Sequence, residues 1–349
     1  MKNQKVNKQV VGIDISKDSF YACYKIKYDN QQVVIKGIKS FDNTYKDFII
    51  FLDWCKKRNK TSEIKPIFVM EATGVYYEEL AYFLNQKEKT LSIQLAQKIK
   101  YFAKSCNLKT KTDKVDSKMI AEFGIEKNLT GTDLWTPPSK EFKLLRDLSR
   151  ERSSLKKAET SAKLQLHAMR YSHEKNETVV AMKEKQISFY KEQVKEVEKE
   201  MRDLVKKDKK LFEKIKKVQT IKGVGFITII TVLTEVNGFI LFKNIPQLIS
   251  YAGLDVVEKE SGTIVGKTKI SRKGNAHLRT ALYMPAVSAI QYNKELRSFN
   301  ERIMKNKTLK KQGIVAVMRK ILILIYTLWN TDQVYIEDYQ VNKQLQVSK

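Results

Sequence analysis

The stretch Val10-Val11-Gly12-Ile13-Asp14-Ile15-Ser16-Lys17 sets one acid inside an apolar strand pattern. An ionised carboxylate in such a place is costly unless a cation or hydrogen-bond donors surround it, so Asp14 marks a site as well as a strand. Working outward, Phe20 to Tyr28 and Val33 to Ile38 read as two further strands, and helical spacing follows through Tyr45, Phe48, Ile49 and Leu52. Ile67-Phe68-Val69-Met70 is continuously apolar, which suits a strand buried on both faces. A helix from about Val75 to Leu84 and a short strand near Ile93 follow it. The predicted core of this region, which runs to about Glu126, is a mixed sheet covered by helices.

At 349 residues the chain has room for two or three domains. Lys and Arg number 66 against 39 Asp and Glu, a net charge of +27 that attracts polyanions and makes nucleic acid the expected partner. An enzyme for small neutral metabolites fits that field poorly. With only 13 Gly and 5 Pro, the chain reads as folded and helix-rich. Cys23, Cys55 and Cys106 lie far apart with no CxxC pair, which argues against a disulfide framework or a thiolate zinc site and suits a reducing cytoplasm. His167, His173 and His277 form no HExxH arrangement, so any metal is expected on oxygen ligands. Met1 to Lys8 is polar and basic, and the best apolar run, Ile321 to Trp329, is short for a bilayer. The expectation is a cytoplasmic protein without a membrane segment.

Beyond Thr136-Pro137-Pro138 glycine vanishes until Gly223. Ile187, Tyr190, Val194, Val197, Met201, Leu204, Leu211, Ile215 and Val218 recur at alternating spacings of three and four, with Asp208 the one break. That is a coiled-coil seam, and Leu145, Leu148, Leu155, Ala162, Leu166 and Met169 supply a partner stripe interrupted by Arg152 and Glu159. A hairpin within one chain and pairing between chains both satisfy it. Glycine returns at Ile221-Lys222-Gly223-Val224-Gly225, which opens a second compact region; its glycine turn suits either a phosphate-binding helix-hairpin-helix or an ordinary turn between packed helices. The expected organisation is 1–136, an α/β domain; 137–218, a helical coiled-coil segment; 219–335, a mainly α domain; and 336–349, a tail.

Three further acids stand out. Glu71 ends the apolar strand and precedes Ala72-Thr73-Gly74, at the sheet edge where α/β proteins place their sites. Asp113 and Asp116 lie three apart at the start of a predicted helix and so share a face. Taken singly, Asp113 also reads as an N-cap, Asp116 as a first-turn acid and Glu71 as a surface carboxylate. Together they form an oxygen-only set of the kind that binds Mg2+ or Mn2+ and supports cleavage or transfer at phosphate.

Val-Gly-Ile-Asp14-Ile-Ser-Lys, Met-Glu71-Ala-Thr-Gly-Val-Tyr and Lys-Thr-Asp113-Lys-Val-Asp116 resemble the three stretches that carry the DEDD tetrad in a family of bacterial insertion-sequence transposases. Gly223-Val-Gly, Tyr251-Ala-Gly-Leu, Glu260-Ser261-Gly262 and Ile270-Ser271-Arg-Lys-Gly-Asn-Ala-His-Leu-Arg279 resemble that family's C-terminal transposase domain, in the same order. The resemblance implies a ribonuclease H-like, RuvC-like fold for the N-terminal domain. It also implies divalent metal on Asp14, Glu71, Asp113 and Asp116, and a serine that links covalently to cleaved DNA. Ser261 takes the nucleophile role by motif, with Ser271 as the alternative. DNA, a structured non-coding bridge RNA and further copies of the chain, as a dimer or tetramer, are the implied partners.

The basic residues fit that expectation. Lys98, Lys100, Lys104, Lys109, Lys111 and Lys114 crowd around Asp113, with Tyr101 and Phe102 as rings for base stacking. Lys267, Lys269, Arg272, Lys273 and Arg279 follow Ser261 with no acid among them. The rival function is a metal-dependent nuclease, such as a Holliday-junction resolvase, which needs the carboxylates and not the serine.

Overall fold

The structure, a computed structural model, describes residues 5–337 except 73, 108–111, 241, 243, 259, 262–263, 266–268 and 306–308. It divides into two compact units, 1–137 and 138–349.

In the first unit, β1 (Val6–Ile15), β2 (Ser19–Tyr28) and β3 (Val33–Asp42) form a meander that continues into α1 (Tyr45–Lys56), β4 (Ile67–Ala72), α2 (Glu78–Gln86), β5 (Thr90–Leu95), α3 (Ala96–Ser105) and α4 (Asp113–Glu126). The sheet order is β3-β2-β1-β4-β5. β2 runs antiparallel to both of its neighbours, while β1, β4 and β5 are mutually parallel. Alternation along the strands sorts the side chains onto two faces. Val11, Ile13, Ile15, Phe68 and Met70 pack with Phe48, Phe51, Leu80 and Leu84 of α1 and α2. Val10, Cys23 and Val69 pack on the other face with Ile99 and Phe102 of α3 and Met119, Ile120 and Phe123 of α4. The predicted mixed sheet between helices is the observed architecture. Helix α3 goes beyond the prediction, because its lysines leave only Ile99 and Phe102 as buried anchors.

How closely α4 lies on the sheet is set by Gly12. A Cβ there would stand 2.2 Å from the Ala121 backbone nitrogen and 2.5 Å from the Ser117 carbonyl oxygen. Gly124, two turns further along α4 than Ser117, lies instead against Val10 and Val69. The helix therefore runs against the direction of β1 and β4, and its N-terminus lies toward their C-terminal ends.

The second unit begins with α5 (Lys140–Arg170) and α6 (Glu177–Lys207), followed by α7 (Lys209–Val218), α8 (Phe226–Glu235) and α9 (Ile245–Ala252). Short strands β6 (Val256–Val257), β7 (Glu260–Ser261), β8 (Ile264–Val265) and β9 (Lys269–Ile270) lead to α10 (Ala276–Tyr292), α11 (Lys294–Met304) and α12 (Lys310–Thr331). α5 and α6 pack as an antiparallel hairpin: Arg170–Glu184 pairs across 14 residues near the turn and Arg152–Glu198 across 46 further down. The two interruptions of the α5 stripe are thus accounted for. Arg152 bonds Glu198 at 2.6 Å, and Glu159 is bonded by both Lys156 and Lys163 at 2.6 Å. The apolar seam finds its partner in the same chain.

The break in the seam at Asp208 is a boundary between two helices. Asp208 ends α6 and caps α7, its carboxylate accepting from the backbone N–H groups of Lys210 (3.0 Å) and Leu211 (3.1 Å). Leu145 of α5 and Met201 and Val205 of α6 join α7, α8, α10 and α12 in one apolar core. α12 is long and apolar enough, by length and composition, to cross a bilayer. Within the unit, however, its Val317, Ile321, Leu322 and Ile325 are fully buried in that core.

Candidate functional site

The register of the parallel strands brings the first two acids together. Pairing of β1 with β4 ends at Ile13 opposite Met70, so Asp14 and Glu71 are the next residue on each of two adjacent strands. Gly12 faces α4 and Val69 packs on the α3–α4 face; two residues on, Asp14 and Glu71 return to that same face. This is also the edge toward which the N-terminus of α4 points. Thr112 caps that helix, its hydroxyl accepting from the Val115 N–H at 3.3 Å, and so takes the N-cap role that Asp113 alone suggested. Asp113 and Asp116 occupy the first turn, Asp113 exposed and Asp116 half-buried.

The four acids therefore share one end of the sheet. Among the described residues, no three His, Cys, Asp or Glu side chains stand close enough together to hold a metal ion. Four carboxylates are hard oxygen donors, a set whose chemistry suits a hard divalent cation.

Two neighbours of this edge escape a sequence reading. Gln94, 4% exposed, is paired directly with Glu71 through β5 and accepts from Lys98 at 3.3 Å. Asn43 donates to the Ser16 carbonyl (3.1 Å) and the Tyr76 carbonyl (3.2 Å), tying the β1–β2 turn to the segment after β4. A buried glutamine beside an acid and an asparagine after a strand carry no spacing signal; only the register reveals them. Tyr101 is 49% exposed, whereas Phe102 is 8% exposed and meets Phe123 edge-on at 5.4 Å. Phe102 is thus a core residue and not a stacking ring. Lys114 is exposed, and Lys109 and Lys111 lie outside the described residues.

In the second unit Ser261 pairs with Ile264 in the two-stranded sheet of β7 and β8 and is exposed, while a separate sheet pairs Val256 of β6 with Ile270 of β9. Gly262 lies outside the described residues. Ser271 directly follows β9, and its hydroxyl donates to the Asp255 carboxylate and accepts from the Lys273 N–H at 3.3 Å. Lys269, Arg272 and Lys273 are exposed around it. Arg279 instead braces the turn, donating to the Ala252 carbonyl at 2.8 Å and the Asn275 carbonyl at 3.3 Å.

Close to this turn lies a carboxylate the motif reading passed over. Glu235 accepts two bonds from Arg150 (2.8 and 3.0 Å) and one from Asn275 (2.7 Å) with its side chain 2% exposed. Burial works against its charge, but these bonds outweigh it and hold the carboxyl below its ordinary range. Its signal was available: like Glu71, it is an acid that follows a largely apolar run, here Phe226 to Leu233.

Residues 11–169 match a family of DEDD transposases of the IS110 type, and residues 215–301 match the transposase family IS116/IS110/IS902. The chain is also similar to the pilin gene-inverting proteins of Moraxella lacunata and Moraxella bovis. Each is 28% identical over 331 residues, covering 93% of this chain and 96% of theirs. Both halves of the motif pattern, the tetrad in the sheet unit and the glycine- and serine-bearing stretches of the helical unit, fall within those matches. The chain belongs to the IS110-type transposases, enzymes that recombine DNA.

Proposed function

We propose that the chain is the DNA recombinase of an insertion sequence, guided by a structured bridge RNA and acting as a homo-oligomer. Asp14, Glu71, Asp113 and Asp116 would hold Mg2+ or Mn2+, which supplies charge stabilisation at the phosphate. The reading rests above all on the convergence of those four acids at one sheet edge, two from adjacent strand ends and two from the helix N-terminus above them. Ser261 acts as the nucleophile. Its oxygen attacks phosphorus, the bond to the leaving deoxyribose oxygen breaks, and the serine proton is released as that oxygen gains one. The exposure of Ser261 supports this role over Ser271, whose hydroxyl is already committed to Asp255. The names of the Moraxella relatives favour inversion of a DNA segment among the outcomes of strand exchange. The antiparallel α5–α6 hairpin fits the expected coiled coil, and the domain limits 1–136, 137–218 and 219–335 are proposed on the same basis.

The test is strand cleavage of a cognate DNA with its RNA and Mg2+, read together with covalent protein–DNA adducts on denaturing gels. Asp14→Asn should reduce cleavage by at least about a hundredfold with folding unchanged, and Ser261→Ala should abolish the adduct while Ser271→Ala retains it. Cleavage by the Ser261→Ala variant without any adduct in the wild type would instead describe a metal-dependent nuclease.

A further inference from the structure

Between α5, α8 and α10 the second unit holds a cleft of about 750 Å³ that none of the four acids or the two serines lines. Its α5 wall carries Arg150, Arg152, Lys156 and Lys157. The facing walls carry Thr228 of α8 and Thr280 and Ser288 of α10, and Gly223 lies at the join. Gly223, with φ +92°, is required there by packing, because a Cβ would come within 2.6 Å of the Ala289 backbone. The glycine turn is thus explained by the approach of α10, and the feature that points to a ligand is the cleft beside it.

Two cations of that wall, Arg150 and Lys156, are oriented by buried carboxylates. The Glu235 side chain is 2% exposed and its partner Arg150 is 46% exposed. The Glu159 side chain is 3% exposed and its partner Lys156 is 46% exposed. The buried acid fixes each head, and the cation presents the exposed surface. Lys157 has no carboxylate partner among the described residues. Among the described residues Glu235 is the one acid in the lining, and its oxygens are already bonded to Arg150 and Asn275. The α5 wall from Ser149 to Thr160 is twelve residues long, a rise of about 16 Å, close to the axial length of about five phosphate steps on one B-form strand. Cations facing the hydroxyls of Thr228, Thr280 and Ser288, which are set among Ile227, Ala281, Met284 and Pro285, with no unbonded acid among the described lining residues, recognise phosphate oxygens and leave base edges unread.

We propose that this cleft binds the phosphodiester backbone of a nucleic-acid strand, independently of sequence. The assignment rests on the recombinase reading above and gives it a contact surface separate from the proposed chemistry. Lys157→Glu with Thr280→Glu places two negative charges in the cleft without touching the buried pairs. Fluorescence anisotropy of the full chain with a short labelled DNA duplex, the single DNA strand and the matching RNA strand measures the result. The double variant should bind at least about tenfold more weakly at low salt to the probe that occupies the cleft, with a log–log salt slope lower by about one or more. Lys199→Glu, an exposed charge change on α6, should stay near wild type. The probe that loses affinity identifies the occupant as DNA or RNA.

Wild-type binding with an unaltered double variant overturns the cleft assignment alone. Wild type that binds none of the three probes overturns it together with the recombinase reading. Should the double variant melt early, Thr280→Cys in a Cys106→Ser background, carrying a photocrosslinker, gives the same decision. Crosslinking to the probe supports the cleft, and crosslinking from Lys199→Cys but not from position 280 overturns it.

Discussion

Gly12 is the residue on which the geometry of the candidate catalytic edge depends, although it bears no reacting group. The Ala121 nitrogen and Ser117 oxygen fill the place of a Cβ. Gly12→Ala must therefore lift α4 off β1, and backbone atoms give far less readily than a flexible side chain. A loss of about 3 kcal/mol is expected from overpacking of this kind, read as a lower urea midpoint for the first unit. Because α4 carries Asp113 and Asp116, cleavage should fall further than stability alone explains under conditions where the variant remains folded. A Gly12→Ala protein with wild-type cleavage would show that the position of α4 does not govern the site. At this scale the sequence disclosed those acids that stand out chemically from their surroundings, Asp14 above all. It did not disclose Gln94 or Asn43, whose roles depend on which strand or turn lies alongside.

Among the elements, the hairpin of α5 and α6 has an ion pair built into its apolar seam, and that pair should be visible in acid. Hydrogen bonds from Lys156 and then Lys163 pull the Glu159 carboxyl down to about 2, against a reference of 4.5. A lowered acid pKa contributes stability that is fully present above the unfolded value and lost as pH falls through the folded one. The Glu159 contribution should thus hold above about pH 4.5 and disappear between there and about pH 2. Glu159→Gln should lower the urea midpoint at pH 7 and flatten its decline below pH 4.5; identical pH profiles for variant and wild type would remove the carboxylate from any structural role. Heptad spacing revealed that this seam existed, yet it left the partner open, because a stripe of a and d positions fits a neighbouring chain as well as a returning helix. The break at Asp208 was equally visible as a polar residue out of pattern, and its meaning as an N-cap required the backbone turn it closes. The strands were legible because apolar runs of strand length leave few alternatives, whereas α3 hides among lysines with two buried anchors.

For the whole molecule, the organisation of the cores leads to a prediction about cooperativity. The sheet clusters lie entirely within residues 1–137, and the helical clusters entirely within 138–349. Each unit has a length typical of an independently folding domain, and two consecutive prolines, Pro137 and Pro138, stand at the join. Two unfolding transitions are expected in place of one. The tryptophans allow them to be separated: of the three, Trp54 and Trp135 belong to the first unit and Trp329 to the second. In Trp329→Phe, tryptophan fluorescence reports the sheet unit alone, while helical circular dichroism is dominated by α5 to α12. Urea titrations by the two probes should give different midpoints, and residues 1–137 expressed alone should unfold cooperatively at the fluorescence midpoint. The charge should widen the gap at low salt, since a net +27 concentrates self-repulsion wherever the basic residues cluster, and added salt should raise the midpoint of the more basic unit more strongly. Coincident midpoints at every salt concentration, with a fragment 1–137 that does not fold, would mean that the two cores form one cooperative unit and that the join at Pro137 is not a domain boundary.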